Sequence, residues 1–153
     1  MRKPRRSNLP AGTIDTTAAA RVSGIQWRTL LRWVERGVLK PTLYQGERGT
    51  TGAAFAWNVG DLLAARTVAE LRRTGLSAQR VQKAARAVAR AREDLASARL
   101  VSDGADVFRV LPESRLMSML RRPGQHLVFP LGAWMTETRE RFEAEIRKRE
   151  RRA

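Results

Sequence analysis

Cysteine is absent from this 153-residue chain. Disulfides, thiolate metal sites and cysteine nucleophiles are excluded with it. Histidine occurs once, as His126, so no imidazole cluster exists to hold zinc. No apolar run approaches the roughly 20 residues needed to span a bilayer. The basic stretch Met1–Asn8 is not followed by the apolar segment of a secretory signal. A cytoplasmic place, on the nucleoid, is therefore expected. Acidic residues are also scarce: 15 Asp and Glu face 30 Lys and Arg, a net charge of +15. That excess favours a nucleic acid or an anionic membrane surface as partner and says nothing about fold. Of the 30 cations, 26 are Arg, the residue that forks onto phosphate and guanine. A GC-rich coding sequence inflates Arg and Ala in the same way.

Catalytic constellations are missing too. Glu93-Asp94 and the pair Asp103 and Asp106 read as a helix end and a hairpin turn, not as a two-carboxylate cleft. No Ser-His-Asp set and no Gly-rich phosphate loop is visible, so no enzyme, cofactor or metal is expected. Apolar residues make up 42%, enough for a packed core.

The informative stretch runs from Thr16 to Pro41. Thr16 is expected to cap a first helix whose Ala19, Ala20 and Val22 allow close approach of a neighbour. Ser23-Gly24 supplies a turn residue that tolerates positive φ. A second helix is expected over Gln26–Arg36, with Ile25, Leu30, Leu31 and Val34 as apolar positions. Gln26, Arg28, Thr29, Arg32 and Glu35 are left for its other faces. Gly37 and then Lys40-Pro41 stop it. This is the layout of a helix-turn-helix, with the second helix offered to a DNA major groove.

Gly46, Gly49 and Gly52 interrupt residues 42–57, which suggests a hairpin whose loop carries Glu47 and Arg48. Asp61 opens a third helix with Leu62, Leu63, Val68 and Leu71 inward, ended by Gly75. Ser77 caps a fourth, expected to reach about Ala98, with a stripe of Val81, Ala84, Ala85, Val88, Ala91 and Leu95. Leu100-Val101 and Val107–Val110 suggest another hairpin. Pro112-Glu113 opens a short helix to Arg122, and His126–Phe129 reads as a strand. A last helix from about Leu131 places Met135, Thr138, Phe142 and Ile146 on one face, before a charged tail, Arg147–Arg152, that frays.

Gly24 to Pro41 resembles, without a gap, the MerR-like pattern Gly-Val-Ser-x-Arg-Thr-Leu-Arg-Tyr-Tyr-Glu-x-x-Gly-Leu-Leu-x-Pro. Gly24, Arg28, Thr29, Leu30, Gly37, Leu39 and Pro41 match in type. Residues 61–77 resemble the family's next helix pair, with its Gly-hydrophobic-Ser turn, so the likeness spans about residues 13–90. It implies that the hairpin is a wing and the chain a DNA-binding transcriptional regulator. The sequence departs from the pattern where Leu31-Arg32-Trp33-Val34 stands for Arg-Tyr-Tyr-Glu, where Gln26 stands for a capping Ser, and in the lack of an obvious long dimerising coiled coil.

The expected class is α+β, mainly helical: an N-terminal winged helix-turn-helix, a linking helix and a small C-terminal α/β module. The parsing is a basic arm (1–12), the DNA-binding domain (13–76), the linking helix (77–98), the module (99–148) and a tail (149–153). Arg28 is the base-reading candidate, because a bidentate Arg–guanine pair discriminates by about 1–3 kcal/mol. Gln26 can reach an adenine edge, and Thr29 shares their helix. Arg32, Arg21 and Lys40 suit phosphate, and Arg48 suits a wing contact or a solvated loop. Trp33 fits the core.

Residues 1–99 carry nineteen basic and seven acidic side chains, a net +12; residues 100–153 carry eleven and eight, a net +3. Binding to double-stranded DNA is thus expected mainly from the first two thirds. The module is expected to support a homodimer or hold a protein partner. Two alternatives stand beside this reading: an excisionase-like architectural protein, which shares the winged fold and bends DNA, and, from another class, an antitoxin-like autoregulator whose C-terminal module binds a protein.

Overall fold

Residues 9–45, 53–90, 98–102, 108–112 and 127–152 are described by the computed structural model. In chain order they form α1 (Thr16–Ser23), α2 (Trp27–Glu35), β1 (Thr42–Gln45), β2 (Ala53–Ala56), α3 (Val59–Arg73), α4 (Ala78–Arg90), β3 (Ala98–Ser102), β4 (Phe108–Pro112), β5 (Leu127–Phe129) and α5 (Leu131–Arg152). Mixed helix and antiparallel sheet place the chain in the α+β class. No helix among the described residues is long and apolar enough to cross a membrane.

The chain divides into two compact units, and the division is not linear. Residues 1–62 and 139–153 make one; residues 63–138 make the other. The boundaries fall inside α3 and inside α5.

In the first unit, α1 is capped by Asp15, not by Thr16 as expected. Asp15 leaves the helical region (φ −75°, ψ 172°) and its carboxylate accepts from the Ala18 N–H. Thr16 is already helical. Its hydroxyl accepts instead from Nε1 of the fully buried Trp57, at 3.0 Å. Trp57 also exchanges backbone hydrogen bonds with Ile14, which fastens the end of the hairpin to the start of α1. Gly24 (φ 70°) closes α1 in the left-handed conformation expected of it. The Ser23 hydroxyl ties that turn by donating to the Ala19 carbonyl and accepting from the Ile25 N–H.

α2 is slightly shorter than expected, because Gln26 and Arg36 are its flanking caps. It ends with paired bonds from Val38 N–H to the Trp33 carbonyl and from Gly37 N–H to the Val34 carbonyl. A glycine at φ 72° permits that closure. Leu30 and Trp33 are its buried positions, so Trp33 is core as expected. β1 and β2 pair antiparallel, with Leu43 opposite Phe55. The loop between them, with Glu47 and Arg48, lies outside the described residues.

α3 begins at Val59, two residues before the expected Asp61. Asn58 and Asp61 cap each other reciprocally: each side chain accepts from the other's backbone N–H, at 2.8 and 2.9 Å. Burial raises the Asp61 carboxyl above its ordinary pKa, against a smaller lowering by the Asn58 N–H.

In the second unit, Leu63, Val68 and Leu71 of α3 are buried and Gly75 ends its last turn at φ 83°. The Ser77 hydroxyl caps α4 by accepting from the Arg80 N–H. Val81, Ala84, Ala85 and Val88 are buried as the stripe predicted. α4 is described only to Arg90; Ala91 and Leu95 fall outside the described residues, and Ala98, expected to end the helix, starts β3. The sheet has the order β4-β3-β5, all antiparallel. α4 lies against β4, and Leu100 and Val101 of the central strand are fully buried. Pro112 ends β4. The short helix expected after it, and His126, lie outside the described residues. Arg66 bridges Glu70 (2.9 Å) and Glu137 (3.0 Å), which ties α3 to the start of α5.

The tail expected to fray is helical to Arg152, and its start belongs to the first unit. Arg149 donates to the Thr13 carbonyl, and Phe142 is buried.

Candidate nucleic-acid interface

α2 sorts its side chains by helical period. Leu30 and Trp33 are buried, Thr29, Leu31 and Val34 are half-buried, and Gln26, Trp27, Arg28, Arg32 and Glu35 are exposed. The first turn holds no acid, and the Gln26 side chain makes no capping bond. The positive end of the helix is therefore not offset by a carboxylate. Arg28 stacks its guanidinium over the Trp27 ring, 5.4 Å from the centroid. An exposed pair of this kind contributes about 0.5–1 kcal/mol and holds both side chains at the start of α2.

Two shallow hollows flank this helix. One, of about 650 Å³, wraps the α1–α2 turn and is lined by Arg21, Gly24, Gln26, Trp27 and Arg28, among others. The other, of about 470 Å³, lies between α2 and the hairpin, lined by Trp27, Arg28, Leu31, Arg32, Glu35 and Phe55. Leu43, the cross-strand partner of Phe55, is 60% exposed, and Trp27 is 50% exposed. The surface thus combines guanidinium groups with exposed apolar edges.

Of the residues expected to meet DNA, Arg21, Gln26 and Arg28 meet in the first hollow, and Arg28 and Arg32 in the second. Thr29 is half-buried beside them. Lys40 is exposed between α2 and β1 and lies outside both hollows. Arg48 falls outside the described residues.

Arg21 is exposed but not isolated. Its Nη2 lies 2.6 Å from Oε1 of Glu145 on α5, and that bond raises the guanidinium pKa further above its usual range. Glu145 is only 12% exposed on its side chain, so the pair is anchored from the acid's side. Sequence reasoning gave no role to Glu145, nor to Arg149. The available signal was the spacing of Met135, Thr138, Phe142 and Ile146, which continues a helix face into the supposed tail.

Comparison with known protein families finds no family whose model matches the chain, and comparison with curated proteins finds no match either.

Proposed function

We propose that this chain is a sequence-specific DNA-binding regulator of the winged helix-turn-helix type, similar to the MerR-like regulators, and that it acts by occupying an operator or promoter. In this reading α1, the turn at Gly24 and α2 form the helix-turn-helix, and the β1–β2 hairpin is the wing. α2 enters the major groove, where Arg28 and Gln26 address base edges and Arg32 meets phosphate. Two copies read two half-sites.

One observation carries the reading. α2 commits Leu30 and Trp33 to the core and turns Gln26, Arg28 and Arg32 outward together. A core-packed helix with an outward row of guanidinium groups fits a polyanionic groove, and the net charge of +15 supports the same partner. The departure at Leu31-Arg32-Trp33-Val34 gives the backbone contact an arginine where the family pattern has a tyrosine, with Trp33 serving as core.

The test is selection of bound duplexes from a random pool, followed by competition between the selected site and random DNA. The intact protein is expected to enrich one sequence. Arg28→Ala is expected to lose about 5- to 150-fold of that preference while retaining salt-sensitive binding. A pool without enrichment, or an Arg28→Ala protein that discriminates as well as the parent, overturns the proposal.

A further inference from the structure

The charge of residues 100–153 changes meaning once the fold regroups them. Residues 100–138 hold four basic and four acidic side chains and are neutral. The whole excess of +3 lies in residues 139–153, seven basic against four acidic, and these belong to the same compact unit as α1 and α2. That unit carries 17 basic and 8 acidic side chains.

Where this excess points is a matter of geometry. Arg141, Lys148 and Arg151 of α5 line a hollow of about 360 Å³ together with Arg21 of α1. Arg21 also lines the hollow at the start of α2, with Gln26 and Arg28. The two hollows share that residue, so the basic surface runs from the first turn of α2 across α1 onto α5. The acid within the row, Glu145, is bound to Arg21. By helical period, Glu143 and Glu150 fall on the far side of α5, while Glu140 falls at the edge of the row, one turn before Ala144. From Arg141 to Arg151 the helix rises about 15 Å. Phosphates follow one strand at about 3.4 Å of axial rise, so the row matches about four of them.

We infer that α5 is a second arm of the nucleic-acid interface, on which Arg141, Lys148 and Arg151 bind backbone phosphates flanking the groove that α2 occupies. The inference rests on the DNA-binding reading above and extends it to a site on α5. The arm positions the protein on the duplex and reads no bases. Glu145 limits its strength by holding Arg21.

The experiment measures binding of the full chain to the selected duplex and to a random one, across salt concentrations. Each phosphate contact contributes about −0.9 to the slope of log affinity against log salt, worth about fivefold at 0.15 M. The triple variant Arg141→Gln, Lys148→Gln, Arg151→Gln is expected to weaken both duplexes equally, on the order of a hundredfold, with a slope shallower by about 2.7. Glu145→Gln is expected to tighten both about fivefold, a gain that misfolding does not produce. With the unaltered protein, lengthening a minimal selected duplex on one flank is expected to raise affinity until the added phosphates pass the arm.

If the triple variant keeps the parent's affinity and slope while Arg28→Ala loses preference, the arm is refuted and the reading head stands. A minimal duplex that binds as tightly as a lengthened one also refutes the arm. A parent that binds no duplex refutes both.

Discussion

At the first turn of α3, Asp61 is held half-buried between its own helix and the Asn58 N–H it accepts from. Burial raises its carboxyl pKa, so the folded state holds that proton more tightly than the unfolded chain. The contribution to stability is therefore complete below the unfolded value and is lost as pH rises through the raised folded value. Asp61→Asn keeps an acceptor for Asn58 without the charge. It is expected to match or exceed the parent in urea unfolding at pH 7, and the difference is expected to shrink as the pH falls toward 4. Asp61→Ala, which removes the acceptor, is expected to cost about 1 kcal/mol. An Asp61→Asn protein much less stable than the parent at pH 7 contradicts this account. Trp57 gives a second test at this scale. Its indole bond to Thr16 is expected to appear as a coupling free energy of about 1 kcal/mol in a cycle of Trp57→Phe and Thr16→Val. A coupling near zero means that Trp57 acts through packing alone.

The elements show which local rules a sequence states openly. The turn after α1 was legible because a Ser-Gly pair between two apolar segments has one economical conformation, and Gly24 adopts it. The inward faces of α3 and α4 were legible from spacing alone, since Leu62, Leu63, Val68, Leu71, Val81 and Val88 are all buried. The start of α1 is not legible in the sequence because Asp15, Thr16 and Thr17 can all cap, and only backbone geometry decides which residue leaves the helix. That Ala98 starts β3 instead of ending a helix is not legible locally, because Ala is the best helix former and carries no stop signal. Pairing in β3 overrides that propensity. α5 makes the strongest prediction at this level. Phe142→Ala is expected to lower unfolding free energy by about 3–5 kcal/mol. Amide-exchange protection in α1 is expected to fall with it, because residues 139–153 and α1 share a unit. Unchanged protection in α1 argues against that unit.

For the molecule as a whole, sequence order is a poor guide to what works together. Periodicity reports geometry within a turn or two, whereas Arg21 and Glu145 are 124 residues apart and Thr13 and Arg149 are 136 apart. No local pattern encodes such pairs. Of the candidate site, Gln26, Arg28 and Arg32 were legible because one short helix displays them. The cations of α5 were not, because they read as a solvated end. Counting charge along the chain set residues 100–153 apart as nearly balanced; counting it by compact unit moves their entire surplus beside α2.

The N-terminal unit is thus stitched from two stretches between which residues 63–138 are inserted. On a ribosome, the stretch that supplies Glu145 and Arg149 leaves the exit tunnel long after Arg21 and Thr13. A nascent polypeptide that has emerged only as far as Leu62 has its α1–α2 pair but not the helix that clasps it. A product that stops before Arg139 therefore lacks Glu145 and Arg149, the partners of Arg21 and Thr13.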